Sequence, residues 1–168
     1  MNMGQTLEQF ADACRKALQA QPGSAGRQQV CELVQNVLGD AEFVKTYITD
    51  DLPERKILYE DPDLGFCILG HVHHGAKGSK PHDHGPSWAI YGQAAGETLM
   101  TDWSLVAPPT EENPGKVRHV RDYSLKPGQA HFYDIGVLHS PSRLGPTKLL
   151  RIEGTNMERV KRKAFEVA

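Results

Sequence analysis

Apolar side chains in the first forty residues recur at the spacing of amphipathic helices. The first stripe follows the i, i+3, i+4, i+7 pattern and consists of Leu7, Phe10, Ala11, Cys14 and Leu18. Thr6 and Gln9 fit a capping box at its start. A second stripe covers residues 30–38, and residues 40–48 predict a third, short helix. We therefore expect a helical segment over residues 1–50.

From about residue 56 onward, apolar positions form short or alternating runs that are broken by glycine and proline, as in β-strands separated by turns. The predicted strands cover residues 56–60, 65–73, 87–92, 97–106, 116–125, 130–133, 139–143 and 148–154. Many short strands favour a sandwich or barrel, and no alternation of helix and strand indicates a doubly wound sheet. We expect one mainly β domain, with a barrel over residues 51–168 and the helical segment packed on its outer face.

Composition narrows the class of protein. A chain of 168 residues can bury a core without disulfides, so a bound metal would serve chemistry more than folding. The net charge is −2 and no basic stripe occurs, so nucleic acid is not an expected partner. The three cysteines lack CxxC spacing, and no signal-peptide pattern or apolar run of about 20 residues is present. We expect a soluble, cytoplasmic protein with no membrane partner.

Three histidines form the most informative pattern. His82 and His84 are two residues apart, so in a strand they point to one face, and the prolines and glycine around them stiffen the segment. His139 begins a later strand just after Gly136. Three imidazoles without a carboxylate suit Fe, Zn, Cu or Ni and leave positions open for a substrate. The pattern predicts a metal site, and the alternative is surface histidines in a turn.

The order of these motifs resembles that of the cupin superfamily, whose fold is a double-stranded β-helix, or jelly-roll barrel. The shared motifs are a glycine-rich lead at residues 75–78, His82-Asp83-His84, Pro127-Gly128 and residues 136–139. The resemblance covers roughly residues 55–155. Many cupins place a glutamate ligand three or four residues after the second histidine, where this chain has Trp88 and Ala89.

An all-histidine site preceded by a helical segment resembles the cysteine dioxygenase, or thiol dioxygenase, branch of the superfamily. That resemblance implies a non-haem Fe(II) dioxygenase that acts on a small thiol or carboxylate with O2, and it makes Arg55 the candidate for binding the substrate carboxylate. The chain also departs from the branch. No cysteine follows Cys67, which excludes a cysteine–tyrosine cross-link, and the supporting Ser-x-His-x-Tyr strand is replaced by one that carries Arg151 and Glu153.

If this strand alternates, Arg151 and Glu153 share a face, and we expect them in the cavity, with Arg151 as a second candidate for the substrate carboxylate. The alternative is an exposed ion pair. Trp88, Tyr91 and Tyr133 are candidates for the pocket wall or for supporting the metal ligands, and plain core packing is the alternative for all three. Fe(II) is the expected cofactor, with Zn or Ni as alternatives that would support lyase, isomerase or hydrolytic chemistry. A non-catalytic cupin that binds a small acid also stays open. The sequence allows a homodimer.

Overall fold

Three helices precede the barrel in the computed structural model, which describes residues 4–168. They are α1 (Leu7–Ala20), α2 (Ser24–Leu38) and α3 (Ala41–Tyr47). The predicted capping box is present: the Thr6 hydroxyl accepts a hydrogen bond from the Gln9 backbone, and the Gln9 side chain accepts one from the Thr6 backbone. Asp40 caps α3 by accepting backbone hydrogen bonds from Glu42 and Phe43. The three predicted helices are thus confirmed, and residues 1–3 of the predicted segment lie outside the described residues.

The described chain then forms ten strands and a short 3-10 helix at Met157–Arg159. The strands are β1 (Lys56–Glu60), β2 (Cys67–His73), β3 (Lys77–Gly78), β4 (Ala89–Ala95), β5 (Thr98–Ala107), β6 (Gly115–Leu125), β7 (Ala130–Tyr133), β8 (Leu138–Arg143), β9 (Thr147–Glu153) and β10 (Phe165–Val167). Eight of them correspond to predicted strands. The other two, β3 and β10, are too short to carry a recognisable hydrophobic period.

The strands form two five-stranded sheets, in the orders β1-β2-β9-β4-β7 and β10-β6-β5-β8-β3. In the first sheet, β9 lies between β2 and β4 and pairs with both in antiparallel fashion. In the second sheet, β5 lies between β6 and β8. Neighbouring strands are therefore often distant in sequence, as in a jelly roll. This arrangement confirms the predicted mainly β, cupin-type barrel with an N-terminal helical segment.

The helices pack on the outer face of the first sheet. Ile68, Ile90 and Ile152 pair across β2, β9 and β4, and they share one buried core with apolar residues of all three helices. Because strand side chains alternate, the intervening residues Tyr91 and Arg151 point to the opposite face, into the barrel. The same strands thus carry the helix-packing core on one face and the interior of the barrel on the other.

In the described part of the chain, no helix is long and apolar enough to span a membrane.

The helix–sheet contact is close enough to require glycine at residue 92. A Cβ at Gly92 would lie 2.7 Å from Val34 Cγ1 and 2.9 Å from the Leu150 carbonyl oxygen, and the carbonyl is backbone that cannot easily move. We expect Gly92→Ala to lower the free energy of unfolding by about 1–3 kcal/mol through overpacking, as measured by urea denaturation. Gly75→Ala is the matched control, since a Cβ there meets no atom within 4 Å. Equal stability of the two variants would contradict this packing.

Candidate metal centre

The chain segments that carry the three predicted ligands are joined through the backbone. His82 and His139 form an isolated antiparallel bridge, in which each backbone N–H donates to the other residue's carbonyl oxygen at 2.9 Å. The Asp83 carboxylate accepts a hydrogen bond from the Gly85 backbone at 3.0 Å, and Gly85 adopts a φ of 60°, which favours glycine. This turn fixes His84 beside the bridge.

The three imidazoles converge as the sequence predicts. Their candidate ligand atoms lie within 4.8 Å of one another, and the Nε2 atoms of His84 and His139 are 3.2 Å apart. His84 and His139 are buried and His82 is partly exposed. Within residues 4–168, this triad is the one group of histidine, cysteine or acidic side chains arranged to hold a metal.

Hydrogen bonds fix the tautomers of two of the three imidazoles, His82 and His139. The Nδ1 atom of His82 lies 2.8 Å from the Lys80 carbonyl oxygen, and that of His139 lies 3.2 Å from the Val137 carbonyl oxygen. A carbonyl oxygen accepts and cannot donate, so each of these Nδ1 atoms carries the proton, and each Nε2 presents a lone pair. This is the tautomer that a metal-ligating histidine needs.

Burial also keeps these rings neutral. Desolvation lowers the pKa of His82 to about 4 and lowers those of His84 and His139 well below the usual range. At neutral pH the three rings are therefore uncharged, and the Nε2 lone pairs of His82 and His139 stay free because their Nδ1 atoms carry the proton. Neutral imidazoles are the form that binds metal ions.

The hydroxyl of Tyr91 lies within hydrogen-bond distance of all three histidines of the triad. Its Oη atom is 3.3 Å from the Nε2 atom of His82 and 3.1 Å from those of His84 and His139. Burial raises the pKa of Tyr91, so without a cation the hydroxyl keeps its one proton and can donate to one of the three nitrogens. The three Nε2 atoms therefore face one another with no donor besides that hydroxyl and, in one tautomer, His84 itself, whose Nδ1 has no hydrogen-bond partner in the described chain. A metal cation satisfies all three, so the residues fit one.

A cavity of about 620 Å³ adjoins the triad and carries an excess of positive charge. His82 and Tyr91 lie in its wall, together with Glu54 and Glu166. The other charged side chains of the wall are cationic, namely Arg55, Lys77, Lys80, Arg143, Arg151, Arg162 and Lys163. An anion is the ligand that such a cavity favours.

Arg143 is the functional candidate that sequence reasoning missed. Its side chain is buried, yet among the described residues neither its Nε nor its Nη2 atom has a hydrogen-bond partner. Burial and the neighbouring Arg151 lower the pKa of Arg143 to about 10, so it stays cationic at neutral pH. A usable signal was present, because Arg143 lies four residues after His139 on β8 and so shares its face.

Arg55, the predicted carboxylate-binding residue, lies in the cavity wall but is engaged by Glu153. Its Nη1 and Nη2 atoms donate to the two carboxylate oxygens of Glu153 at 3.0 and 3.1 Å. Glu153 is completely buried, and its hydrogen bonds to Arg55 raise the pKa of that guanidinium. This bidentate pair compensates both charges.

Arg151 and Tyr133 lie on two sides of the triad. The Arg151 guanidinium stacks over the Tyr91 ring at 4.1 Å, and its Nη1 atom is 3.8 Å from the Glu153 carboxylate. Within the described chain, the Nε atom of Arg151 has no partner. The Tyr133 ring stacks on His139 at 4.0 Å, and its hydroxyl bonds to that of Tyr123. Arg151 therefore retains free donor capacity in the cavity, whereas Tyr133 contacts a ligand ring.

His71 and His73 share one face of β2 and line the same cavity, with their ring centroids 6.3 Å apart. Desolvation lowers the pKa of both, so they add neutral polar groups to the wall.

No protein-family model matches this sequence, and no curated protein matches it. Solved structures similar to it include a cupin superfamily protein from Desulfitobacterium hafniense, at 12% identity and a TM-score of 0.46 over 64% of this chain and 81% of that chain. KdgF from Halomonas sp. is similar at 18% identity and a TM-score of 0.43, over 59% of this chain and 74% of that one. The cupin domain of Schizosaccharomyces pombe Cnp3 has 8% identity and a TM-score of 0.45, over 62% and 65%. The chain thus has a mainly β, cupin-type barrel fold, and three of its histidines form a site that could hold a metal.

Single replacement of His82, His84 or His139 by alanine should abolish metal binding, because each removes one of three converging lone pairs. Metal content after loading and desalting, measured by inductively coupled plasma mass spectrometry, checks this. His119→Ala is the control, since His119 is exposed and bonds to Asp122. Full occupancy in His139→Ala would refute the triad as a metal site.

The metal-free protein should lose stability as the pH falls below about 6.5, the value for histidine in an unfolded chain. The buried triad binds fewer protons in the folded state than in the unfolded state, so each histidine contributes a slope of at most about 1.4 kcal/mol per pH unit. Urea denaturation between pH 7 and 5.5, with chelator present, measures it. His84→Asn should give a shallower slope, and an unchanged wild-type stability over this range would contradict the assigned neutrality.

Proposed function

We propose that this protein is a metal-dependent cupin enzyme, a non-haem Fe(II) dioxygenase that acts on a small anionic thiol or carboxylic acid. The observation that carries the proposal is the juxtaposition of two features in one cavity. Three imidazole lone pairs converge at His82, His84 and His139, and the unpartnered guanidinium of Arg143 lies in the wall beside them.

The charge of the cavity supports an anionic substrate. A buried guanidinium normally has a carboxylate or other acceptor, and Arg55 has one in Glu153. Arg143 and the Nε atom of Arg151 have none in the described chain. A substrate carboxylate would accept from the Arg143 fork in bidentate fashion and satisfy donors that are otherwise unpaired.

The size of the cavity supports a small molecule. Its volume of about 620 Å³ lies in the range of small-molecule pockets, roughly 300–1,000 Å³. His82 and Tyr91 line the cavity together with Arg143, so the arginine and one histidine of the triad face the same pocket.

The donor set supports iron chemistry by its resemblance to the all-histidine sites of the thiol dioxygenase branch. When bound, Fe(II) would supply O2 activation and lower the pKa of a thiol or enol that coordinates it. The chain supplies the remaining functions. Arg143 and Arg151 bind and orient the carboxylate, and the Arg55–Glu153 pair holds a buried carboxylate beside Arg151.

The first experiment combines metal analysis of the purified protein with O2-uptake measurements on a panel of small thiols, carboxylic acids and diketones. We expect iron to be bound and O2 to be consumed with an anionic member of the panel. Bound iron without uptake on any thiol would exclude the thiol dioxygenase activity. Turnover with Zn or Ni and without O2 would indicate lyase, isomerase or hydrolytic chemistry instead.

Arg143→Gln should raise KM for a carboxylate substrate by about tenfold or more, because it removes a charged hydrogen-bonding fork worth roughly 1.5–3 kcal/mol. Metal content should be unchanged, since Arg143 is not a ligand. Steady-state kinetics with a carboxylate substrate and with its uncharged amide would check this. The KM for the amide should differ little between the wild type and Arg143→Gln. Arg118→Gln, on the exposed surface of β6, is the matched control. An equal effect on acid and amide would contradict carboxylate binding by Arg143.

A further inference from the structure

The Tyr91 hydroxyl occupies the corner of the site that a fourth ligand would take. Its Oη atom lies 3.1–3.3 Å from all three Nε2 atoms, and the Nε2 atoms of His84 and His139 are 3.2 Å apart. In a regular tetrahedron with an edge of this length, the centre lies about 2 Å from every corner, which is the length of a metal–nitrogen or metal–oxygen bond. Four of the six distances among these atoms thus match that edge, and the candidate histidine ligand atoms all lie within 4.8 Å of one another, so the Tyr91 oxygen is placed as a further donor beside the triad.

We propose that Tyr91 is a fourth protein ligand of the metal centre and binds the ion through its phenolate oxygen. This inference rests on the metal site proposed above and adds a donor to it. The position where many cupins carry a glutamate holds Trp88 and Ala89, neither of which offers an acidic ligand. Within residues 4–168, no aspartate or glutamate joins the triad. Tyr91 supplies an anionic oxygen from β4, the strand that begins at Ala89.

The Tyr91 ring is held so that its hydroxyl stays at the triad. β4 is paired on both sides, with β7 and β9. The ring makes edge contacts with His84, His139 and Tyr133, at centroid distances of 5.8, 5.2 and 5.1 Å, and Arg151 covers it at 4.1 Å. In the described chain, the hydroxyl has no hydrogen-bond partner other than the three imidazoles. No competing contact would have to break for ligation.

The charge balance of the site also favours a phenolate. A divalent cation bound by three neutral imidazoles keeps its full charge in a buried site, which is costly. Coordination breaks the phenol O–H bond, forms the metal–oxygen bond and releases one proton to solvent, so the net charge of the centre falls by one. The Arg151 guanidinium next to the ring stabilises the negative charge that remains on it.

The test uses bound iron as a spectroscopic probe of its ligands. Full-length protein is loaded with Fe(II), oxidised to Fe(III), and examined by visible absorption and resonance Raman spectroscopy. We expect an intense phenolate-to-iron charge-transfer band and phenolate vibrations enhanced by excitation in that band. Tyr91→Phe should lose both and still bind about one iron per chain, because the three histidines remain. Tyr133→Phe is the matched control and should keep the band, since its hydroxyl bonds to Tyr123.

Proton release gives a second readout that does not need iron. On Zn²⁺ binding at pH 7, the wild type should release one more proton per chain than Tyr91→Phe, as measured by calorimetry in buffers of different ionisation enthalpy. One iron per chain with no charge-transfer band would overturn Tyr91 ligation and leave the triad intact. A band that persists in Tyr91→Phe would also overturn it. Failure of the wild type to bind any metal would refute the metal centre itself, and this inference with it.

Discussion

The backbone bridge between His82 and His139 is the contact on which the site depends. Two hydrogen bonds of 2.9 Å join the segment before β4 to the start of β8, and these two parts of the chain are distant in sequence. Because the bridge fixes both the register and the separation of these segments, it also fixes the Cα positions from which the side chains of His82 and His139 extend. The Asp83–Gly85 turn then places His84 against them. Converging lone pairs follow from backbone geometry rather than from side-chain flexibility.

Burial of this region has two electrostatic consequences that act together. It keeps the imidazoles neutral, and it divides the arginines of the cavity into two kinds. Arg55 is compensated by Glu153, so the pair satisfies itself, whereas Arg143 has no such acceptor in the described chain. A protein keeps an uncompensated buried cation only where something else supplies the counter-charge. The distinction separates a structural ion pair from a group that is available to a ligand.

The triad and the main strands could be predicted because their signals are local. His-x-His spacing, flanking proline and glycine, and alternating apolar runs depend on near neighbours in the chain. The availability of Arg143 could not be predicted in this way, because it depends on which groups lie near its buried guanidinium, and its neighbours Arg151 and Tyr91 come from other strands. The position of Tyr91 lies between these cases. Alternation along β4 places it inside the barrel, but only the three-dimensional convergence shows that its hydroxyl meets all three nitrogens.

The helical segment supports the site through β4, although it does not touch the metal position. Ile90 points outward into the core shared with the helices, and Gly92 lets α2 approach so closely that a Cβ would contact Val34. Tyr91, between them, points inward to the triad. A strand packed tightly on its outer face has little freedom to rotate, so the Tyr91 hydroxyl is held in place before any ion binds. Such preorganisation is what a metal ligand needs, and it makes the N-terminal helices part of the support of the candidate metal centre.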